Sequence, residues 1–145
     1  WLLLACFAVS PLRHWLSIGW LLRFRRTLGL LAFFYVTLHL VVVSNYLFFW
    51  DWAVVREELS ERPYIIAGFS AWLLMLPMAL SSNDWSVRRL RRNWRRLHTL
   101  MYPVILLAWL HIAWQVRSSY FDAAVYGLII FSLFLQRVKK LPKSG

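Results

Sequence analysis

The chain has one cysteine, Cys6, set in an apolar run. A single cysteine excludes an intrachain disulfide and a cysteine metal cluster, and in such a run it reads as a small buried side chain. Acidic residues are scarce, 6 against 17 basic ones. The recurrent chemical motifs are missing: no HExxH metal site, no glycine-rich nucleotide loop, no serine nucleophile elbow. Neither an internal repeat nor a low-complexity tract is found, and no soluble flavin or nicotinamide domain follows the last apolar run. If electrons move through this chain, donor and acceptor come from other molecules.

What is abundant is apolar surface. Of 145 residues, 61% are hydrophobic, more than a soluble domain of this size hides in one core. A bilayer accepts such surface as its boundary. Five apolar stretches stand out: 1–12, 27–49, 64–80, 97–116 and 123–135. About 20 apolar residues cross the roughly 30 Å hydrocarbon layer, and in lipid each crossing must be helical so that its backbone groups are satisfied. The expectation is a single all-α domain over 1–145, an integral membrane helical bundle of about five transmembrane segments. The opening WLLLACFAVSPL has neither the initiator Met nor the basic start of a signal peptide. It reads as the second half of a helix, so an N-terminal truncation is expected.

Charge orients the segments. Arg13, Arg23, Arg25 and Arg26 fall in one connection. Arg88, Arg89, Arg91, Arg92, Arg95 and Arg96 fall in a second. Arg137, Lys139, Lys140 and Lys143 fall in the tail. Together these are 14 of the 17 basic residues. The opposite connections hold Arg56, Arg62 and Arg117 with five of the six acids, Asp51, Glu57, Glu58, Glu61 and Asp122. This alternation follows the positive-inside rule and places the arginine-rich loops and the C-terminus in the cytoplasm. It reads as membrane topology, not as a nucleic-acid surface. Trp15, Trp20, Trp85 and Trp94 mark the inner edge; Trp50, Trp52 and Trp114 mark the outer one.

Three histidines fall in or beside apolar helices, where an ionisable group is a functional-site hypothesis. His39 lies 13 residues after Arg26 and His111 lies 15 after Arg96. At about 1.5 Å per residue both lie roughly 20 Å from the inner charges, toward the outer face. Two histidines at one level on different helices can ligate a heme iron from both sides, giving a low-spin electron carrier. Otherwise each is a neutral histidine bonded to a neighbouring helix. His98 lies 13 residues before His111, a vertical gap that suits a second, inner heme. On an ideal helix, however, the two point roughly 140° apart, unless Pro103 kinks or rewinds the helix. The position expected to face His98 holds Arg25. Arg25 and Arg26 are either propionate partners or ordinary positive-inside arginines. Met75 and Met78 are axial-ligand types placed where core packing is expected, and His14 reads as a solvated surface residue.

The run RRTLGLLAFFYVTLHL at 25–40, RPYIIAG at 62–68, WRRLHTLMYPVILLAWLHIAW at 94–114 and SPLRHW at 10–15 carry a resemblance. The chain resembles the MsrQ (formerly YedZ) family within the ferric-reductase-like transmembrane group. The resemblance implies heme b bound by His39, His98 and His111, and also FMN. It implies electron passage from the quinone pool to a periplasmic molybdopterin methionine-sulfoxide reductase subunit, in the bacterial inner membrane, for repair of oxidised proteins. Family members have about six helices. The alternatives are the transmembrane core of another ferric-reductase-like metalloreductase or oxidase, or a transport or assembly protein without heme.

Overall fold

Lipid offers no partner to a free backbone N–H or C=O, so an apolar chain in a bilayer satisfies these groups within its own helices. The computed structural model describes residues 1–17, 20–115 and 120–138, with the side chains of 14–16, 21–23 and 138 outside the description. Every regular element among the described residues is helical: α1 (Leu2–Leu16), α2 (Leu21–Tyr46), α3 (Trp52–Glu61), α4 (Pro63–Leu80), α5 (Asp84–Leu90), α6 (Arg92–Leu97), a 3₁₀ turn (His98–Leu100), α7 (Met101–Gln115) and α8 (Phe121–Val138). Phe24–Tyr46, Pro63–Leu80 and Arg92–Gln115 are long and apolar enough to cross a membrane. The other two apolar stretches form α1 and α8, which complete the bundle. The chain is an all-α, multi-pass membrane protein. The readings of His14, Trp15, Arg23, Val116, Arg117, Lys139, Lys140 and Lys143 concern side chains or residues outside the description.

The helices pack as a ring. α4 lies along α7, α2 joins α4, α1 joins α2, and α8 closes against α1 and α7. Small residues allow the closest approach: Ala67 and Ala71 of α4 are buried one turn apart, a spacing that lets helix backbones come near each other in lipid. One core cluster joins Phe7, Ile105, Ile130 and Leu133. A second joins Ala32, Met75, Met78 and Val104, so the two methionines are core residues. Phe34, Val42, Leu73, Leu106, Leu128 and Phe131 face outward and are exposed. Apolar outer faces are what a bilayer solvates.

Local signals set the helix ends. α2 stops at Tyr46, three residues before the end of its apolar stretch, and Phe49 and Trp50 then take positive φ angles. The acidic connection is not a plain loop. Asp51 accepts a hydrogen bond from the Ala53 N–H at 2.8 Å and so caps α3. Glu58 pairs with Arg62 at 2.9 Å, joining the end of α3 to the start of α4, where Pro63 takes the first helical position. At the other end Asn83 caps α5 through the Ser86 N–H at 2.8 Å. Asp84 in the first turn of α5, and Arg88 and Arg89 in its last, complement the helix dipole.

Candidate functional site: a histidine pair between two helices

His39 of α2 and His111 of α7 face each other with ring centroids 6.4 Å apart and ring planes at 77°. Local contacts produce this arrangement. Thr37, two residues before His39, accepts a hydrogen bond from Trp72 Nε1 of α4 at 3.1 Å. Its own hydroxyl donates to the Phe33 carbonyl at 2.8 Å. Phe33 stacks on Trp72 at 6.4 Å. This polar and aromatic lock fixes α2 against α4 beside His39.

His111 is held more closely. Its Nδ1 lies 2.7 Å from the Tyr64 carbonyl. A carbonyl only accepts, so Nδ1 carries the proton and Nε2 keeps its lone pair. Histidines that bind metals are commonly oriented this way by a backbone carbonyl. The Tyr64 ring stands 5.8 Å from the imidazole at 61°. The imidazole lies directly over Gly68, where a Cβ would sit 2.6 Å from Nδ1 and 2.8 Å from Cε1. The absence of a side chain at position 68 is therefore what lets the ring lie against α4.

The spacing suits an iron. Two imidazole nitrogens each about 2 Å from a shared metal put their ring centroids roughly 6 Å apart. His39 and His111 meet that separation, and with Nδ1 committed to the Tyr64 carbonyl it is Nε2 of His111 that could ligate. The pair thus fits bis-imidazole ligation of one iron. Among the described residues no group of three or more His, Cys, Asp or Glu side chains gathers to hold a metal ion, so two protein ligands is the arrangement the bundle offers.

His98 lies away from this pair, in the 3₁₀ turn before α7. Its Nδ1 is 3.0 Å from the Trp94 carbonyl, and its ring stacks on Trp94 at 3.9 Å and 28°. Pro103 follows and has no N–H for the Thr99 carbonyl, which accounts for the tighter winding here. His98 lines a cavity of about 580 Å³ together with Arg25 and Arg26. Arg25 does share a site with His98, whereas Arg26 is bound to Asp84 at 2.7 Å. The structure thus divides the five residues singled out in the sequence into an iron-suited pair and a basic cavity. Three contributors were not singled out: the Tyr64 carbonyl, Gly68 and Asp84. The RPYIIAG run contains the first two, but only the fold shows what they touch.

Side chains that project from facing helices into a bundle are where cofactor sites of helical bundles are built. Residues 1–109 match the family described as ferric reductase like transmembrane component, and the chain belongs to that family. It is also similar to a protein from Xanthomonas axonopodis pv. citri named protein-methionine-sulfoxide reductase heme-binding subunit MsrQ, with 46% identity over 139 residues, covering 96% of this chain and 64% of the relative. A protein of the same name from Caulobacter vibrioides is 37% identical over 138 residues, covering 94% of this chain and 66% of the relative. The chain thus spans just under two thirds of the length of these curated relatives. No solved structure matches it.

Proposed function

We propose that this chain is a membrane b-type cytochrome subunit that passes electrons from the quinone pool, through heme, to a periplasmic methionine-sulfoxide reductase subunit of the molybdopterin type. The observation that carries this reading is the His39–His111 pair, 6.4 Å apart, with His111 Nδ1 committed to the Tyr64 carbonyl. A heme held there supplies one-electron storage at low spin. His39 and His111 would hold the iron, the Tyr64 carbonyl orients the His111 ring, and Gly68 gives that ring its place. The apolar helix walls would keep water from it. The similarity to heme-binding subunits named MsrQ supports both the cofactor and the partner.

The proposed direction follows from charge. With the arginine-rich connections in the cytoplasm of a bacterial inner membrane, the histidine pair lies toward the periplasm, beside a rim that includes Asp51, Trp52, Glu57, Glu58 and Asp122. Such a rim steers a soluble partner, and that steering weakens with salt. The basic cavity beside His98, with Arg25 and Arg26, is where FMN or a second heme attributed to the family would meet this chain. The test is the absorption spectrum of the full-length protein. His39→Ala and His111→Ala should each remove the low-spin heme signal. In oriented vesicles, the reduced protein should be reoxidised by the soluble subunit added at the periplasmic face. A His39→Ala/His111→Ala double variant with the parental spectrum, or reoxidation only from the cytoplasmic face, refutes the assignment.

A further inference from the structure

The carbonyl that orients His111 belongs to the first turn of α4. Tyr64 is the second residue of that helix, and the helix end has no side-chain cap bond. Its N-cap position holds Arg62, a cation where the helix dipole favours an anion. Pro63 at the first helical position suits the helical φ but brings no donor. A first turn with orphan N–H groups and an unfavourable charge frays unless contacts from outside the helix hold it. Here those contacts come from α3.

Glu58, in the last turn of α3, supplies them. The Arg62 main-chain N–H donates to the Glu58 carbonyl at 3.0 Å, and Arg62 Nε lies 2.9 Å from Glu58 Oε2. That oxygen is buried, and the Glu58 side chain is only 17% exposed, so the pair is screened less than one in open solvent. The approach is short without being aligned as a hydrogen bond, so the attraction is ionic. On its other edge, Arg62 Nη1 reaches the Tyr64 hydroxyl at 3.5 Å. The guanidinium therefore ties α3 to the residue whose carbonyl accepts from His111 Nδ1 at 2.7 Å and whose ring stands 5.8 Å from the imidazole. A planar guanidinium presents its donors in a fixed fork and grips two partners at once, which an ammonium does not.

We propose that Arg62 is a positioning residue for His111: clamped between Glu58 and the Tyr64 hydroxyl, it holds the first turn of α4 so that the Tyr64 carbonyl meets Nδ1. Its consequence for heme rests on the reading of His111 as an iron ligand; the orientation of the ring does not. Glu58 and Arg62 carry opposite charges side by side, so their fields largely cancel at a distance and the pair acts through geometry. Groups in the shell around a metal's ligands set its affinity by about 10–100-fold. Arg62 acts one contact further out, so the lower end of that range applies.

The test is a double-variant cycle in the full-length protein. Heme affinity is read by titration into the apoprotein. The orientation of His111 is read before heme is added, from the nitrogen NMR resonances of its ring. Glu58→Gln, Arg62→Gln and the two together should each lower heme affinity about tenfold, the double variant being no worse than either single one. In the heme-free protein each should lose the resonance of the bonded Nδ1–H. If the two residues acted through charge, the single variants would move the heme midpoint potential in opposite directions and the double variant would restore it; that outcome overturns the positioning role. Arg62→Lys keeps the charge without the fork, and full rescue by it would likewise point to charge alone. Tyr64→Phe keeps the main-chain carbonyl and removes only the hydroxyl, so it should cost about threefold in affinity and tests the clamp even where Arg62→Gln does not fold. Arg56→Gln, on the exposed face of α3, should leave both readouts parental. A parental Nδ1–H resonance in Arg62→Gln and Tyr64→Phe, or an equal loss in Arg56→Gln, overturns the role of Arg62. A parental protein that binds no heme overturns the ligation reading alone, and the resonance then decides for Arg62.

Discussion

Replacing Gly68 by alanine tests the histidine pair through one methyl group. The added Cβ would lie 2.6 Å from His111 Nδ1, 2.8 Å from Cε1 and 3.2 Å from Cγ. Three ring atoms are too close, so the imidazole must retreat as a body by roughly 1 Å to reach ordinary contact. Overpacking of this kind costs about 1–3 kcal/mol. The retreat also stretches the 2.7 Å bond from Nδ1 to the Tyr64 carbonyl, whose net contribution is about 0.5–1.5 kcal/mol. Alanine is the better helix former, by about 1 kcal/mol, which offsets only part of that cost and leaves a net destabilisation of about 0.5–3.5 kcal/mol while the ligand is displaced. Loss of an orienting partner of a metal-bound histidine typically weakens binding about 10–100-fold. Gly68→Ala should therefore lower heme affinity by at least tenfold, read by heme titration into the apoprotein, while the helical circular dichroism stays parental. Gly29→Ala is the control, because a Cβ there meets only Cys6 Sγ at 3.6 Å, an ordinary contact. It should keep the heme and leave stability unchanged or raised by up to about 1 kcal/mol. Parental heme affinity in Gly68→Ala would refute the placement of His111 against α4.

Pro11→Ala restores an N–H opposite the Phe7 carbonyl, to which Arg137 Nη2 donates at 2.6 Å, so a double-variant cycle with Arg137→Gln should show coupling of about 1 kcal/mol or more in thermal stability; additive effects would mean that the two positions are not linked. His98 stacks on Trp94, and among the described side chains faces no second histidine, so His98→Ala should leave the low-spin signal of the His39–His111 pair intact while changing whatever occupies the basic cavity; loss of the pair's signal alone would reverse these roles. In a background lacking Cys6, a cysteine at Ser60 should react with an impermeant thiol reagent in intact cells and one at Ser144 should not. The opposite pattern would invert the topology.

The all-α bundle was legible in the apolar runs, although only three helices are long and apolar enough to cross a membrane where about five spans were expected, and the level of the histidine pair was legible because helix rise is constant. His39 and His111 follow their inner arginines by nearly equal numbers of residues, and the two rings meet. Rotation was less legible, since the 3₁₀ turn at His98–Leu100 breaks the uniform 100° step that the sequence count assumes. α3 was hidden because it is polar and has no spanning hydropathy, although Asp51 ahead of it is an ordinary N-cap signal. The environment of His111 could not be read from spacing. Tyr64 acts through its main-chain oxygen, which every residue type possesses, and Gly68 acts by having no side chain. Nor does the sequence show what completes the Phe7 carbonyl: Pro11 indicates that a donor is missing, but Arg137 lies 130 residues away.

The two ends of the bundle solve different electrostatic problems. Around the histidine pair the contacts are neutral: a backbone carbonyl, a hydroxyl, aromatic rings and a bare glycine. A metal takes the neutral imidazole as its ligand, with one ring nitrogen left unprotonated. Around the basic cavity the contacts hold cations without cancelling them. Such surroundings leave positive charge at that end of the bundle. The proline in α1 joins the two requirements of fold and site at that end, because the carbonyl it leaves open is satisfied by the arginine that lines the cavity. Removing the charge at Arg137 thus loosens α8 from α1 and lowers the positive charge of the cavity in the same step. Removing charge at Arg95 affects only the second, which is why the two substitutions together separate the structural role of the basic end from its role in binding.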